Sequence, residues 1–151
     1  LNATEFLLKS KDPNFKTSQS GDLVSMLSGI MGDMGKVHYS FVPCINDKLD
    51  TIPADLDKLL MIRRVCAIID HEIHSNYKIF KTNYIAHDIL FDNQDFADKY
   101  TPEECEAFKQ YLNGQIEKVQ VPYNELDRNF MYKCMLEMYS NPLTNQLEAL
   151  K

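Results

Sequence analysis

Residues 53–80 read PADLDKLLMIRRVCAIIDHEIHSNYKIF and carry the strongest helical pattern in the chain. Apolar residues recur there at steps of three or four, which places them on one side of a helix, and one longer gap is filled by Arg63. Thr51 or Pro53 marks the entry of this helix. At about 1.5 Å per residue the helix would reach about 40 Å, which is long for a small domain. The apolar side consists of Leu56, Leu59, Leu60, Cys66, Ile69, Ile73, Tyr77 and Phe80.

Helical patterns also lie on both sides of this segment. Residues 23–31 have the helical period, and Gly32 and Gly35 are predicted to end that helix. The stretch Thr101-Pro102-Glu103-Glu104 is typical of a helix start, with a cap residue, a proline at the first position and early carboxylates. Further helices are predicted for residues 1–9 and 122–139, with a break at Asn141-Pro142 and a short final helix up to Leu150.

Residues 36–42 (KVHYSFV) contain the clearest strand pattern. Val37, Tyr39 and Phe41 alternate with His38 and Ser40, and β-forming residues dominate. Residues 119–121 are the only other candidate, and they are very short. The predicted fold is therefore mostly α with one clear β-strand. A lone strand leaves backbone groups unpaired, so its partners are expected in another chain or in upstream sequence.

Composition limits the class of protein. The chain has 151 residues, of which 44% are apolar and 25% charged, as in one soluble globular domain. Its 16 basic and 22 acidic residues give a net charge of −6, concentrated in residues 88–151. The absence of a basic stripe argues against nucleic acid as a partner. Since no stretch approaches about 18 uninterrupted apolar residues, no membrane span is predicted.

The four cysteines indicate a cellular compartment. Cys44, Cys66, Cys105 and Cys134 form no C-x-x-C pair, so zinc-ribbon and redox-motif interpretations fail on spacing. We expect four free thiols in a reducing compartment, which favours the cytoplasm. Cys66 lies within the apolar stripe of residues 53–80 and is predicted to be a small buried side chain.

The densest group of candidate metal ligands is Asp70-His71-Glu72-Ile73-His74. His71 and His74 are three residues apart on one helix, so both side chains could face one metal ion. The second histidine comes one residue too early for the H-E-x-x-H zinc motif, and no third ligand is indicated elsewhere. A polar helix face is the favoured interpretation, and no metal is assigned.

His87 and Asp92 have the H-x-x-x-x-D spacing of glycerolipid acyltransferases, in which the histidine acts as general base. On a continuous helix these two side chains would lie about 140° apart and would not meet. Ala86 precedes the histidine where that family usually has Asn, and no Pro-Glu-Gly segment follows. We therefore interpret the pair as a coincidence.

An aromatic group with nearby lysines leaves two interpretations open. Phe80, Tyr84, Phe91 and Phe96, with Lys78 and Lys81, could form a patch that faces lipid. Core packing with lysines that extend to solvent is the favoured alternative.

Four segments together resemble the C-terminal portion of bacterial glycerolipid acyltransferases, the 1-acyl-glycerol-3-phosphate acyltransferase-like family. Residues 35–46 (GKVHYSFVPCIN) resemble a late strand of that fold. Residues 69–77 (IDHEIHSNY) with 82–88 (TNYIAHD), and residues 135–147 (MLEMYSNPLTNQL), are similar to the C-terminal extension of these enzymes in some Gram-negative gut bacteria. Residues 4–13 (TEFLLKSKDP) resemble the stretch that follows an earlier core strand.

The resemblance implies a division at about residue 52. Residues 1–52 would end the α/β acyltransferase core as helix, loop, helix and strand, and residues 53–151 would be a helical C-terminal extension. The parent enzyme would transfer a fatty acyl group from a thioester donor to glycerol 3-phosphate or 1-acyl-glycerol 3-phosphate in phospholipid biosynthesis. Its expected partners are the upstream catalytic portion, these substrates and a membrane surface, with a location in the cytoplasm or peripheral at the inner membrane.

No catalytic, cofactor-binding or metal-ligating residue is assigned to this chain. The family's His/Asp motif and phosphate-binding segment are expected upstream of Leu1, because the resemblance covers only the C-terminal portion of the family. The first residue is also not Met, so the chain is expected to be part of a longer protein. The chain alone is therefore predicted to be inactive. The alternative is a self-standing helical interaction module without catalytic activity.

Overall fold

The structure, a computed structural model, describes residues 9, 12, 14–16, 19–32, 35–119 and 127–151. Within these ranges the chain is mostly helical, as predicted, and contains no β-strand. The elements in chain order are α1 (Gln19–Met31), α2 (Asn46–Leu49), α3 (Lys58–Ser75), α4 (Lys81–Phe91), a 3-10 helix (Ala97–Lys99), α5 (Pro102–Glu117) and α6 (Arg128–Ala149).

The hydrophobic core lies between α4, α5 and α6. Its main cluster joins Ile85 and Ala86 of α4 to Phe108 and Leu112 of α5 and Leu136 of α6. Ile116 and Met131 extend this core between α5 and α6. The helix α3 packs on α6, whereas α1 packs against none of the other described helices. The N-terminal helices therefore contribute little to the buried core.

The prediction of a strand at residues 36–42 is wrong. These residues have no regular secondary structure, and their backbone pairs with no strand in the described part of the chain. The Ser40 hydroxyl donates to the Asn76 carbonyl at the end of α3 (3.0 Å), so a side chain attaches the segment. Phe41 is 96% exposed and Tyr39 is also exposed. Alternating residues alone do not form a strand, because a strand needs a backbone partner.

The helix predicted for residues 53–80 is shorter than expected. It begins after Asp57, whose carboxylate accepts the Leu59 N–H (2.8 Å), and it ends before Asn76. Residues 77–80 are a connection without regular secondary structure. There Asn83 Oδ1 accepts the Phe80 N–H (2.7 Å), which starts the separate helix α4. The Asp57 cap therefore delays the start of α3, and the Asn83 cap begins a new helix just beyond the predicted range.

Two helix boundaries agree with the sequence. The helix predicted for residues 23–31 lies within α1 and ends at Met31, and Gly35 follows with a positive φ of 61°. Thr101 and Glu104 form a reciprocal cap at the start of α5: Thr101 N–H donates to the Glu104 carboxylate, and Glu104 N–H donates to the Thr101 hydroxyl. The predicted start of α5 is thus confirmed.

The predicted break at Asn141-Pro142 is wrong, because α6 continues through Pro142 to Ala149. Proline removes one backbone donor from the helix interior, which ordinarily costs about 3 kcal/mol. Leu136 and Leu143 are buried on either side of the proline. Asn83 Nδ2 donates to the Tyr139 carbonyl (2.8 Å) and ties this part of α6 to α4. Tertiary packing therefore offsets the cost of the proline.

Three other predictions fall largely outside the described residues. They are the helix at residues 1–9, the short strand candidate at residues 119–121, and the beginning of the helix predicted for residues 122–139.

Candidate functional site

The Asp70–His74 group on α3 is divided among different surroundings. Glu72 is half-buried and forms an ion pair with Lys48. The ring of His74 packs on that of Tyr77, with 5.5 Å between the ring centres. Asp70 and His71 are exposed. Throughout the described ranges, no group of three or more His, Cys, Asp or Glu side chains is arranged to hold a metal ion.

An open groove of about 520 Å³ lies between α2, the following turn and one side of α3. Its apolar wall contains Ile52, Leu56 and Ile68, and its polar rim contains Arg64 and the ion pair of Lys48 with Glu72. The ion pair neutralises the Glu72 carboxylate, and Arg64 adds a positive charge at the rim. Among the described residues, the surface of the groove is therefore apolar with a positive edge.

Asp88 is the most deeply buried charged side chain among the described residues, at 3% exposed. Its carboxylate accepts the Phe96 N–H (3.3 Å to Oδ1 and 3.2 Å to Oδ2) and the Tyr100 hydroxyl (2.9 Å to Oδ2). The Asp88 backbone carbonyl also accepts the Asn93 N–H (3.0 Å). One residue of α4 therefore holds the loop of residues 92–100 against the helix.

His87 contacts Asp88 and makes no ion pair with Asp92 in the described part of the chain. Its Nδ1 atom lies 3.7 Å from Asp88 Oδ1 and is buried without a hydrogen-bond partner among the described residues. Asp92 is the exposed C-terminal cap of α4, with a left-handed backbone (φ 50°). The residues of the H-x-x-x-x-D pattern therefore have separate surroundings. His87 is packed between the rings of Phe91 and Phe96.

Tyr100 carries a pH-dependent prediction. Burial, and then the hydrogen bond to the Asp88 carboxylate, raise the pKa of the Tyr100 phenol to about 12. The folded-state pKa exceeds the unfolded value of about 10, so the protonated Tyr100 phenol contributes to the free energy of unfolding. That contribution is complete below about pH 10 and is lost as the pH rises through about 12. We expect the ultraviolet difference titration between wild type and Tyr100→Phe to have its midpoint near 12. A midpoint near 10 would show that the phenol ionises as freely as in an unfolded chain.

The aromatic group is mostly packed inside the loop region. The ring of Tyr84 lies 5.2 Å from that of Phe96, and His87 fills the space between Phe96 and Phe91. Lys81 pairs with Glu104. This pair, and then the hydrogen bond from the Thr101 backbone N–H, lower the pKa of the Glu104 carboxyl. Phe91 is the exposed member of the group. The contacts favour core packing with lysines that extend to solvent.

All four cysteines are free thiols in the structure. Cys66 is exposed, so the prediction that it is buried is wrong. The reason is that α3 directs a different side towards α6, and the apolar stripe that contains Cys66 has no covering element among the described residues.

Uncovered apolar side chains are the most prominent feature of the N-terminal part. On α1 every large apolar side chain is exposed, and the segment of residues 37–42 exposes four more. Large exposed apolar patches in folded proteins mark sites of interaction, so this concentration of exposed apolar side chains indicates one. The exposed side chains are Leu23, Val24, Met26, Leu27, Ile30, Met31, Val37, Tyr39, Phe41 and Val42.

A membrane span is not found in the described part of the chain, where every helix is too short or too polar to cross a bilayer.

Comparisons with family models, with curated proteins and with solved structures return no match for this chain. Its function is therefore inferred from the chain's own residues and surfaces.

Sequence reasoning missed the polar residues that hold the fold together. The three residues are polar and lie within helical patterns, where a polar side chain ordinarily faces solvent: Asn83, Asp88 and Gln146. Gln146 Nε2 donates to the Tyr77 carbonyl (2.8 Å) and so anchors the connection between α3 and α4 to α6. The available signal was position: Asn83 follows the predicted helix 53–80 by three residues, a spacing at which a side chain can cap a new helix.

Proposed function

We propose that the chain is the C-terminal part of a glycerolipid acyltransferase, in which it docks on the upstream catalytic portion. The whole enzyme transfers a fatty acyl group from a thioester donor to glycerol 3-phosphate or 1-acyl-glycerol 3-phosphate. It works in the cytoplasm or at the surface of the inner membrane. The four segments of sequence that resemble this family support the proposal.

The uncovered apolar surface of residues 37–42 and α1 is the observation that carries the docking role. Phe41, at 96% exposed, and Tyr39 present large apolar side chains to solvent beside the end of α3. Burial of a Phe side chain contributes about 1.5–3 kcal/mol. A second apolar surface that covers these side chains therefore stabilises the assembled protein. We assign this covering surface to the upstream portion.

The proposal assigns no chemical step to the residues of this chain. His87 packs between aromatic rings beside buried Asp88, and Glu72 is neutralised by Lys48. The general base that takes the proton from the acceptor hydroxyl is expected upstream. The chain's contribution is a helical platform built on α4, α5 and α6.

The reading frame that precedes Leu1 provides the first test. We expect an H-x-x-x-x-D motif within about 200 residues of it, one domain's length. The product of the whole frame is then expected to transfer acyl groups to either acceptor, whereas the 151-residue chain shows no turnover. A preceding stop codon, or a whole-frame product without acyl transfer, would contradict the proposal, and so would turnover by the 151-residue chain.

A matched pair of substitutions tests the docking surface within that product. Phe41→Asp is expected to lower acyl transfer about tenfold, because it places a charge where an apolar ring is covered. Leu150→Asp changes another exposed apolar residue, on the last turn after α6, and is expected to leave the rate unchanged. Equal rates for both variants and wild type would exclude residues 37–42 as the docking surface.

The second candidate is an interaction module without chemistry. The exposed apolar side of α3 specifically favours it, since that side extends beyond residues 37–42, which it adjoins at Ile73, and no helix of the described ranges covers it. A stop codon before Leu1, together with a stably folded 151-residue chain, is the result expected for the module.

A further inference from the structure

The exposed side of α3 has the spacing of a helix-pairing seam. We call this the α3 seam: Leu59, Ile62, Cys66, Ile69 and Ile73. The steps are three, four, three and four residues, the alternation with which helices pack along one another. The aliphatic members are between 38% and 57% exposed, and Cys66 is exposed as well.

The α3 seam is distinct from the side of α3 that faces the rest of the protein. The half-buried residues Met61, Val65, Ile68, Glu72 and Ser75 form that inner side. With about 100° between successive residues, the two sides are rotated by about 120° around the helix axis. The helix α3 therefore has one apolar side that is used within the chain and a second that is not.

Charges beside the α3 seam identify its partner. Arg63 and Asp70 flank the same edge of the seam on opposite sides of Cys66, and neither forms an ion pair within the described part of the chain. In an antiparallel pair of α3 helices related by a two-fold axis near Cys66, Arg63 of each copy faces Asp70 of the other. The seam is centred on Cys66, and the midpoint of Arg63 and Asp70 lies between Cys66 and Ala67, so a single two-fold axis near Cys66 satisfies both.

A parallel pair is disfavoured by the same residues. In parallel coiled coils, a residue on one edge lies beside the residue five positions later on the partner helix. Lys58 would then face Arg63 of the second copy, and this repulsion would occur twice.

We propose that the chain forms a homodimer through antiparallel packing of two α3 seams, with Cys66 near the two-fold axis. The seam adjoins residues 37–42 at Ile73, which lines a groove with His38, Ser40 and Val42, whereas the other seam residues lie outside that groove. The dimer is therefore compatible with either proposed function. A C2 interface needs a self-complementary surface. The α3 seam meets that condition, because the positive Arg63 lies on one side of its centre and the negative Asp70 lies on the other.

Sedimentation equilibrium of the 151-residue chain tests the dimer. At about micromolar concentration and above we expect twice the 17.5 kDa chain mass. Ile69→Glu is expected to return the mass to that of one chain, while Leu60→Glu, an exposed leucine on α3 outside the seam, leaves the dimer intact. A monomer at all concentrations, or a dimer that Ile69→Glu does not change, would overturn the proposal.

Charge reversal tests the orientation without loss of apolar surface. Arg63→Glu is expected to raise the dimer Kd about tenfold, because each introduced carboxylate faces Asp70 of the other copy. Asp70→Arg is expected to do the same, and the double variant Arg63→Glu/Asp70→Arg restores the wild-type Kd. A parallel dimer would be strengthened by Arg63→Glu, since the introduced carboxylate would face Lys58, and that result would overturn the antiparallel arrangement.

Cysteine crosslinking locates the axis independently. A chain with Cys66 as its sole cysteine is expected to form a covalent dimer with a short bismaleimide, since the two thiols lie within a few residues of the axis. A chain with only Cys134, an exposed thiol of α6, is expected to remain uncrosslinked. Efficient crosslinking through Cys134 with none through Cys66 would place the interface elsewhere and overturn the proposal.

Discussion

Replacing Leu112 by alanine is expected to lower the free energy of unfolding by about 3–4 kcal/mol. Leu112 lies on α5 at 0% exposed, in the cluster that joins it to Ile85 of α4 and Leu136 of α6. The truncation removes apolar contacts to both neighbouring helices and leaves a cavity that the packed core fills only partly. Since a domain of this size is stabilised by about 5–15 kcal/mol in total, urea unfolding will detect the loss directly.

The matched control is Leu60→Ala on α3, where the leucine is 49% exposed. The same truncation there creates no cavity, and alanine has the higher helix propensity, so the expected change is below about 1 kcal/mol. Equal losses for the two variants would mean that the stability resides as much in α3 as in the bundle of α4, α5 and α6.

The helices were the predictable part of this fold because their signals are local. The three- and four-residue steps of α1 and α3 require only neighbouring residues, and so does the reciprocal cap of Thr101 with Glu104. The end of α1 near Gly32 is local in the same sense.

The errors concern features that depend on distant residues. The alternation of residues 36–42 predicts a strand only if another strand pairs with it, and the described ranges contain none. Pro142 ends a helix in isolation, but Asn83 and the buried leucines of α6 keep the helix continuous. Likewise, the spacing of residues on α3 identifies an apolar side but does not specify whether another element packs on that side. The exposure of Cys66 was therefore not predictable from the sequence.

The candidate sites show the same limit. The spacing of His87 and Asp92 draws attention to a pair, whereas the structure places His87 beside Asp88, the adjacent residue. The importance of Asp88 depends on a backbone N–H eight residues later and on the Tyr100 hydroxyl twelve residues later. No local pattern specifies those contacts, because the loop between them has no regular period.

Replacing Asp88 by alanine is the second large effect, with an expected loss of about 3 kcal/mol in the free energy of unfolding. The variant removes the acceptor of both the Phe96 N–H and the Tyr100 hydroxyl, and these part-buried donors then lose their partner. Hydrogen bonds to a charged acceptor contribute about 1.5–3 kcal/mol, and an unsatisfied buried donor carries its own cost. We expect hydrogen exchange across residues 92–100 to accelerate more than exchange in α5.

Two further variants separate the carboxylate from general effects of charge. Asp98→Ala removes an exposed acidic residue of the same loop, which pairs with its neighbour Lys99, and should leave the unfolding curve unchanged. Asp88→Asn combined with Tyr100→Phe forms a double-mutant cycle, with an expected coupling of about 1–2 kcal/mol between the carboxylate and the phenol. A coupling near zero, or equal curves for Asp88→Ala and Asp98→Ala, would show that the loop is held by the rings of Tyr84 and Phe96 and not by Asp88. The carboxylate has the larger expected effect because it joins two segments of the loop to α4, whereas the rings join one.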